Sequence, residues 1–166
     1  MTTTVHIWLL SSGNVGHVSL SIDNQYISFW PSGAAGKKDF KIGQTHEPSF
    51  PSSYKIDKRL ERKDCDHTVT LTKMDEKLML KCWAEFKQNP KRYNMVKQNC
   101  STVVAWLLEI GSGVLPGGSK GISINDWVSN PFQKLIFKIK YFGNQIDMWT
   151  PNDVHRFALQ IKSTKG

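Results

Sequence analysis

Cysteine is scarce in this chain: Cys65, Cys82 and Cys100 are an odd number with no C-x-x-C pair. That count argues against a disulfide framework and a four-cysteine zinc site, and reduced thiols point to a cytoplasmic site of action. Long hydrophobic runs are also missing. The apolar stretch Val5–Leu10 is broken by His6 and follows no basic leader, so it reads as a strand rather than a signal peptide. No run approaches the length of a membrane span. Repeats, low-complexity tracts and linkers are lacking too, so residues 1–166 read as a single domain. Acidic residues are the minority: 14 Asp and Glu stand against 22 Lys and Arg, a net charge of +8. Such a surface favours anionic partners without choosing among nucleic acid, acidic headgroups and acidic proteins.

What is present excludes disorder and coiled coil. The chain is 39% hydrophobic and 22% charged, with six Trp, eight Phe and four Tyr. A domain of this length buries roughly 70% of its unfolded surface, enough to fold without staples.

The first third carries strand patterns. Val5–Leu10 is followed by a Gly13–Gly16 turn, and in His17–Ile22 the residues Val18, Leu20 and Ile22 alternate onto one face. Asp23-Asn24 turns the chain into a return strand, Tyr26–Trp30, which Pro31 stops. Residues 31–55 read as a long surface loop, a kind more often functional than incidental, and 67–72 as a third strand. From Asp75 the period becomes helical, with Leu78, Met79, Cys82, Trp83 and Phe86 on one face and Asn89-Pro90 as the stop. A second helix starts at Cys100 or Ser101, is apolar nearly all round, and is expected to end at Gly111 as its C-cap glycine. Residues 112–121 read as a glycine-rich loop. Phe132–Phe142 fits helix or strand equally, and Thr150-Pro151 opens a last helix running to about Lys162. Strands first and helices later give an α+β class.

Cys100 is the residue with chemical promise. At the start of a helix its sulfur lies near free N–H groups and the positive end of the dipole, where a thiolate is favoured. A nearby imidazole would activate it further. His17 is the candidate: it follows Gly16 and opens an alternating strand. An imidazole there, facing the head of the cysteine helix, forms a papain-type dyad. Cys82 on an apolar helix face and Cys65 in a charged loop carry no such expectation. His6, His46, His67 and His155 read as structural or solvated. The histidine spacings offer no metal site, so none is expected.

The segments Gly16-His-Val-Ser-Leu-Ser-Ile22, Tyr26-Ile-Ser-Phe-Trp-Pro31 and Asn99-Cys-Ser-Thr-Val-Val104 resemble the circularly permuted papain-like branch of the NlpC/P60 superfamily. There the His strand precedes the Cys helix. Within it they look most like the Rho-inactivation domain-like fatty acyltransferases of bacterial toxins and effectors, as do Tyr93 and Trp149-Thr-Pro-Asn-Asp153. The resemblance implies an antiparallel sheet carrying the His, packed on a buried helix carrying the Cys. It also implies transfer of a long-chain fatty acyl group from acyl-CoA, as co-substrate, to lysine amines of a protein such as a small GTPase. Cys100 would hold the thioester and His17 would act as base and then acid. For the third residue the superfamily register falls on Ser28. The toxin-like relatives use an Asp farther along, for which Asp66 is the first candidate and Asp57 the second. Backbone N–H groups of Cys100 or Ser101, with the Gln98 side chain, would form the oxyanion hole.

Two other functions stay open. A cysteine peptidase, isopeptidase or amidase would use the same dyad, with water in place of an amine. A non-catalytic basic module would use the charge alone, but the cations are dispersed and no nucleic-acid motif occurs, so nucleic acid is disfavoured. Lys134–Lys140 mixes cations with apolar residues and fits contact with an acidic membrane surface. A monomer is expected.

Overall fold

The computed structural model describes residues 1–11, 14–33, 44–118, 120–123 and 145–165. Phe132–Phe142, including Lys134–Lys140, lies outside the described residues, as does the middle of the 31–55 segment.

The alternating pattern at the start folds as read through His17–Ile22, but the return strand read as Tyr26–Trp30 divides: it ends at Ile27, and Trp30 and Pro31 enter a separate strand pair instead of Pro31 stopping it. β1 (Thr3–Trp8), β2 (His17–Ile22) and β3 (Gln25–Ile27) form an antiparallel meander, and its β2–β3 turn places Asp23 at φ 46. β7 (His67–Leu71) joins on the other side of β1, giving a four-stranded sheet of order β3-β2-β1-β7. Short pairs decorate it: β4 (Trp30–Pro31) with β6 (Pro48–Ser49), and β5 (Thr45–His46) with β8 (Tyr93–Asn94). β9 (Ile122–Ser123) pairs with β10 (Gln145–Ile146). The 31–55 segment is therefore not one loop, since β4 to β6 and the start of a helix occupy part of it.

The sheet is built on the even-numbered positions of β2. Val18, Leu20 and Ile22 are fully buried and join Val5, Ile7, Val69 and Leu71 in the core. Each such side chain contributes about 1.5–3 kcal/mol on burial, and a one-residue slip of register would move the whole set onto the face that carries His17 and Ser19.

Four helices complete the described α+β structure. α1 (Tyr54–Glu61) was not legible as a helix because the residues it buries are Asp57 and Glu61, not apolar ones. α2 (Glu76–Gln88) begins where Asp75 accepts the Leu78 N–H at 3.0 Å. α3 (Cys100–Ser112) is nearly all buried, although Trp106 reaches solvent. It runs past Gly111 and ends on Gly113, whose φ of 66 supplies the left-handed cap. Gly111 is there for packing: a Cβ on it would lie 2.2 Å from Met79 Sδ. α4 (Pro151–Lys165) extends beyond the expected Lys162. At its head Thr150 Oγ1 accepts the Asp153 N–H at 3.2 Å, while Asp153 Oδ2 accepts the Thr150 N–H at 3.0 Å.

Candidate active site

α3 starts because Asn99 caps it: Asn99 Oδ1 accepts the Thr102 N–H at 2.8 Å, leaving Cys100 as the first helical residue. Asn99 Nδ2 donates to the carbonyls of Met95 (2.7 Å) and Trp149 (2.9 Å). The cap thereby ties the cysteine to a distant wall of the site.

His17, at the head of β2, is fully buried. Its Nε2 lies 3.0 Å from Asp57 Oδ2 and 3.0 Å from Ser28 Oγ. Asp57 is fully buried too, and is surrounded by donors. Tyr26 Oη donates to its Oδ2 at 2.7 Å, and Trp30 Nε1 lies 2.9 Å from its Oδ1. The same indole nitrogen is 3.0 Å from His17 Nε2; with His17 protonated, the indole N–H goes to the carboxylate.

Burial disfavours the imidazolium. The charges and hydrogen bonds of Asp57 and Cys100 outweigh it and raise the His17 pKa from 6.5 to about 9. Burial likewise opposes charge on Asp57, but His17 and the surrounding donors hold its carboxyl below the ordinary value. The arrangement favours an imidazolium–carboxylate pair at neutral pH. The other ring nitrogen, Nδ1, is buried, and the Cys100 thiol is near enough to raise the ring's pKa. An imidazolium oriented on one edge and coupled to a thiol at a helix N-terminus is suited to hold a thiolate and later deliver a proton.

The third-residue ranking is corrected. Asp66 does not reach His17: the strand order puts β7 two places from β2, about 10 Å away at the usual strand spacing. Asp66 instead accepts the Leu9 N–H at 2.7 Å and pairs with Lys63 at 2.8 Å. The second candidate, Asp57, occupies the position, and Ser28 stands beside it. Cys65, read as lying in a charged loop, is half-buried, with Tyr54 Oη 3.5 Å from its sulfur. His155 stacks on His67 with centroids 4.3 Å apart.

Cys100 opens on a cleft of about 390 Å³, whose apolar lining includes Leu9, Leu10, Val15, Met95, Met148 and Trp149. Ser101 also lines it, and its buried Oγ has no hydrogen-bond partner among the described residues. Gln98 does not: its backbone pairs with Asn94 (2.8 and 3.0 Å) and the residue is not part of the cleft wall. Phe29 and Trp30 pack in the core and against His17 rather than lining the cleft.

Tyr93 is the site residue that the spacing argument did not assign a role. It is buried, lines the cleft, and its phenol accepts the Cys100 N–H and faces the thiol. Burial and the Cys100 charge push its pKa well above 10, so it stays a donor. Among the described residues no group of three or more His, Cys, Asp or Glu converges as metal ligands, and no helix is long and apolar enough to cross a membrane.

Comparison with curated proteins and with solved structures gave no match. The family model of the Lnb N-terminal periplasmic domain matches residues 17–127, two thirds of the chain, starting at His17 and taking in Asp57 and Cys100. A periplasmic domain corrects the cytoplasmic site of action expected from the reduced cysteines: three thiols too few and too scattered to pair say little about compartment. With the histidine, the carboxylate and the cysteine all inside the match, the chain belongs to the Lnb N-terminal periplasmic domain family.

Proposed function

We propose that this protein is a thiol acyltransferase of permuted papain-like fold that carries a fatty acyl group on Cys100 before passing it to an amine. One observation carries the reading: a fully buried Asp57–His17 pair is coupled to a cysteine at a helix N-terminus, and that cysteine faces an apolar cleft.

The Cys100 thiolate attacks the donor's acyl carbon. The oxyanion that forms lies at the first turn of α3, where the Ser101 N–H and the Tyr93 phenol are the available donors. The leaving group departs with the proton from His17, and an acyl thioester remains. The incoming amine gives its proton to His17 as it attacks the thioester, and the thiolate is regenerated. Apolar walls at Leu9, Leu10, Met148 and Trp149 accommodate an alkyl chain better than a charged peptide. The resemblance to Rho-inactivation-like enzymes supports acyl-CoA as donor and a protein lysine as acceptor. An activated acyl ester is chemically equivalent at Cys100, and it is the donor that suits a periplasmic domain, since coenzyme A thioesters belong to the cytoplasm.

The test is intact-mass spectrometry after incubation with a long-chain acyl-CoA or a long-chain p-nitrophenyl ester, beside Cys100→Ala. A hydroxylamine-sensitive adduct that requires Cys100 is the expected result, and its decay on adding an amine identifies transfer. Decay in water alone points to hydrolysis. No adduct from either donor would refute the proposal.

A further inference from the structure

α1 carries two inward carboxyl groups one turn apart. Asp57 faces His17; Glu61, four residues on along the same face, is only 6% exposed. Glu61 Oε2 accepts from Asn14 Nδ2 at 2.6 Å, and Asn14 Oδ1 accepts the Gly16 N–H at 3.0 Å. The Asn14 amide is thus oriented at both ends. Gly16 lines the cleft and immediately precedes His17. Its φ is +73, and a Cβ there would lie 2.3 Å from the Trp8 carbonyl oxygen. Glycine is therefore required, and without a side chain its backbone is held by its neighbours. Glu61 also reaches the far side of the site, since its charge helps to keep the Tyr93 phenol protonated.

We infer that Glu61 is a positioning residue: through Asn14 it fixes the Gly16 backbone and so sets the His17 imidazole against Cys100. The inference rests on the proposed function for what the pair does, while the placement of the ring is read independently of it.

Four variants test the relay. Glu61→Gln keeps an acceptor oxygen for Asn14, whereas Glu61→Ala removes it. Asn14→Asp sets two carboxyl groups against each other. In Asn14→Asp/Glu61→Gln the new amide donates to the new carboxylate, and the other Asp oxygen still accepts from Gly16. The readouts are Cys100 alkylation by iodoacetamide from acid to alkaline pH and the imidazole nitrogen resonances of His17.

Glu61→Ala is expected to slow alkylation on the order of ten- to a hundredfold and to shift the His17 resonances. Glu61→Gln is expected to stay near wild type, and the double variant to recover what Asn14→Asp loses. Wild-type alkylation and His17 resonances in Glu61→Ala, whatever its melting temperature, would overturn the inference. So would a double variant no better than Asn14→Asp. If wild-type Cys100 reacts no faster than an ordinary thiol, the proposed function fails, and the His17 resonances still decide the role of Glu61.

Discussion

Replacing Asp57 by Asn tests the centre of the site with little change of shape. The carboxylate faces the His17 Nε2–H at 3.0 Å and accepts from Tyr26 at 2.7 Å and Trp30 at 2.9 Å. A carboxamide has one acceptor oxygen and no charge, so it cannot accept on both sides as the carboxylate does. The larger effect is on His17. Burial lowers its pKa, and with Asp57 removed only Cys100 opposes that, so the ring becomes neutral at neutral pH.

The rise from 6.5 to about 9 corresponds to about 3 kcal/mol of stabilisation. Because the folded pKa is the higher one, this contribution is complete below pH 6.5 and disappears as pH climbs through about 9. For a domain of this size, about 3 kcal/mol corresponds to a melting-temperature loss of roughly 6–12 °C. Thermal unfolding of both proteins across this range is the assay. The deficit of Asp57→Asn is expected to be largest near pH 6.5 and to narrow as pH passes about 9. Alkylation of Cys100 at neutral pH is expected to fall toward that of an ordinary thiol, since the imidazolium no longer balances the thiolate. A deficit that stays constant with pH, together with an unchanged alkylation rate, would refute the ion-pair reasoning.

Two further outcomes follow from the geometry. Tyr93→Phe removes the phenol beside Cys100 and is expected to lower acylation by on the order of 10²-fold, the usual cost of one oxyanion donor. Single-turnover acylation by a p-nitrophenyl ester measures it. Asp66→Asn is expected to leave acylation unchanged and to cost at most about 1 kcal/mol of stability in denaturant unfolding, because Asp66 is an exposed partner of Lys63 and the Leu9 N–H.

The strands and the cysteine helix were legible because their signals are local. Alternation in His17–Ile22 and the Asn99 cap followed by an apolar run depend only on neighbours in sequence. The last helix announced itself the same way, through Thr150-Pro151. α1 was illegible for an equally physical reason: its buried face is Asp57 and Glu61, while Lys55, Lys58, Arg59 and Leu60 lie on the outside. Hydrophobic periodicity cannot find a helix whose inward face is charged. The cap of α3 was misplaced because Gly111 and Gly113 look alike in sequence, and only contact with Met79 and a positive φ distinguish them.

The sequence by itself determined the α+β class, the nucleophile candidate and its histidine, since a helix start and a strand start are both written in a few residues. Only the tertiary structure decided which carboxylate serves His17. Asp66 and Asp57 both precede β7 in sequence, but the strand order carries one away from β2 and α1 brings the other to it. The Glu61–Asn14–Gly16 chain belongs to the same class of fact. Each depends on segments tens of residues apart meeting in a buried space, where a charge or a donor without its partner would be too costly to keep.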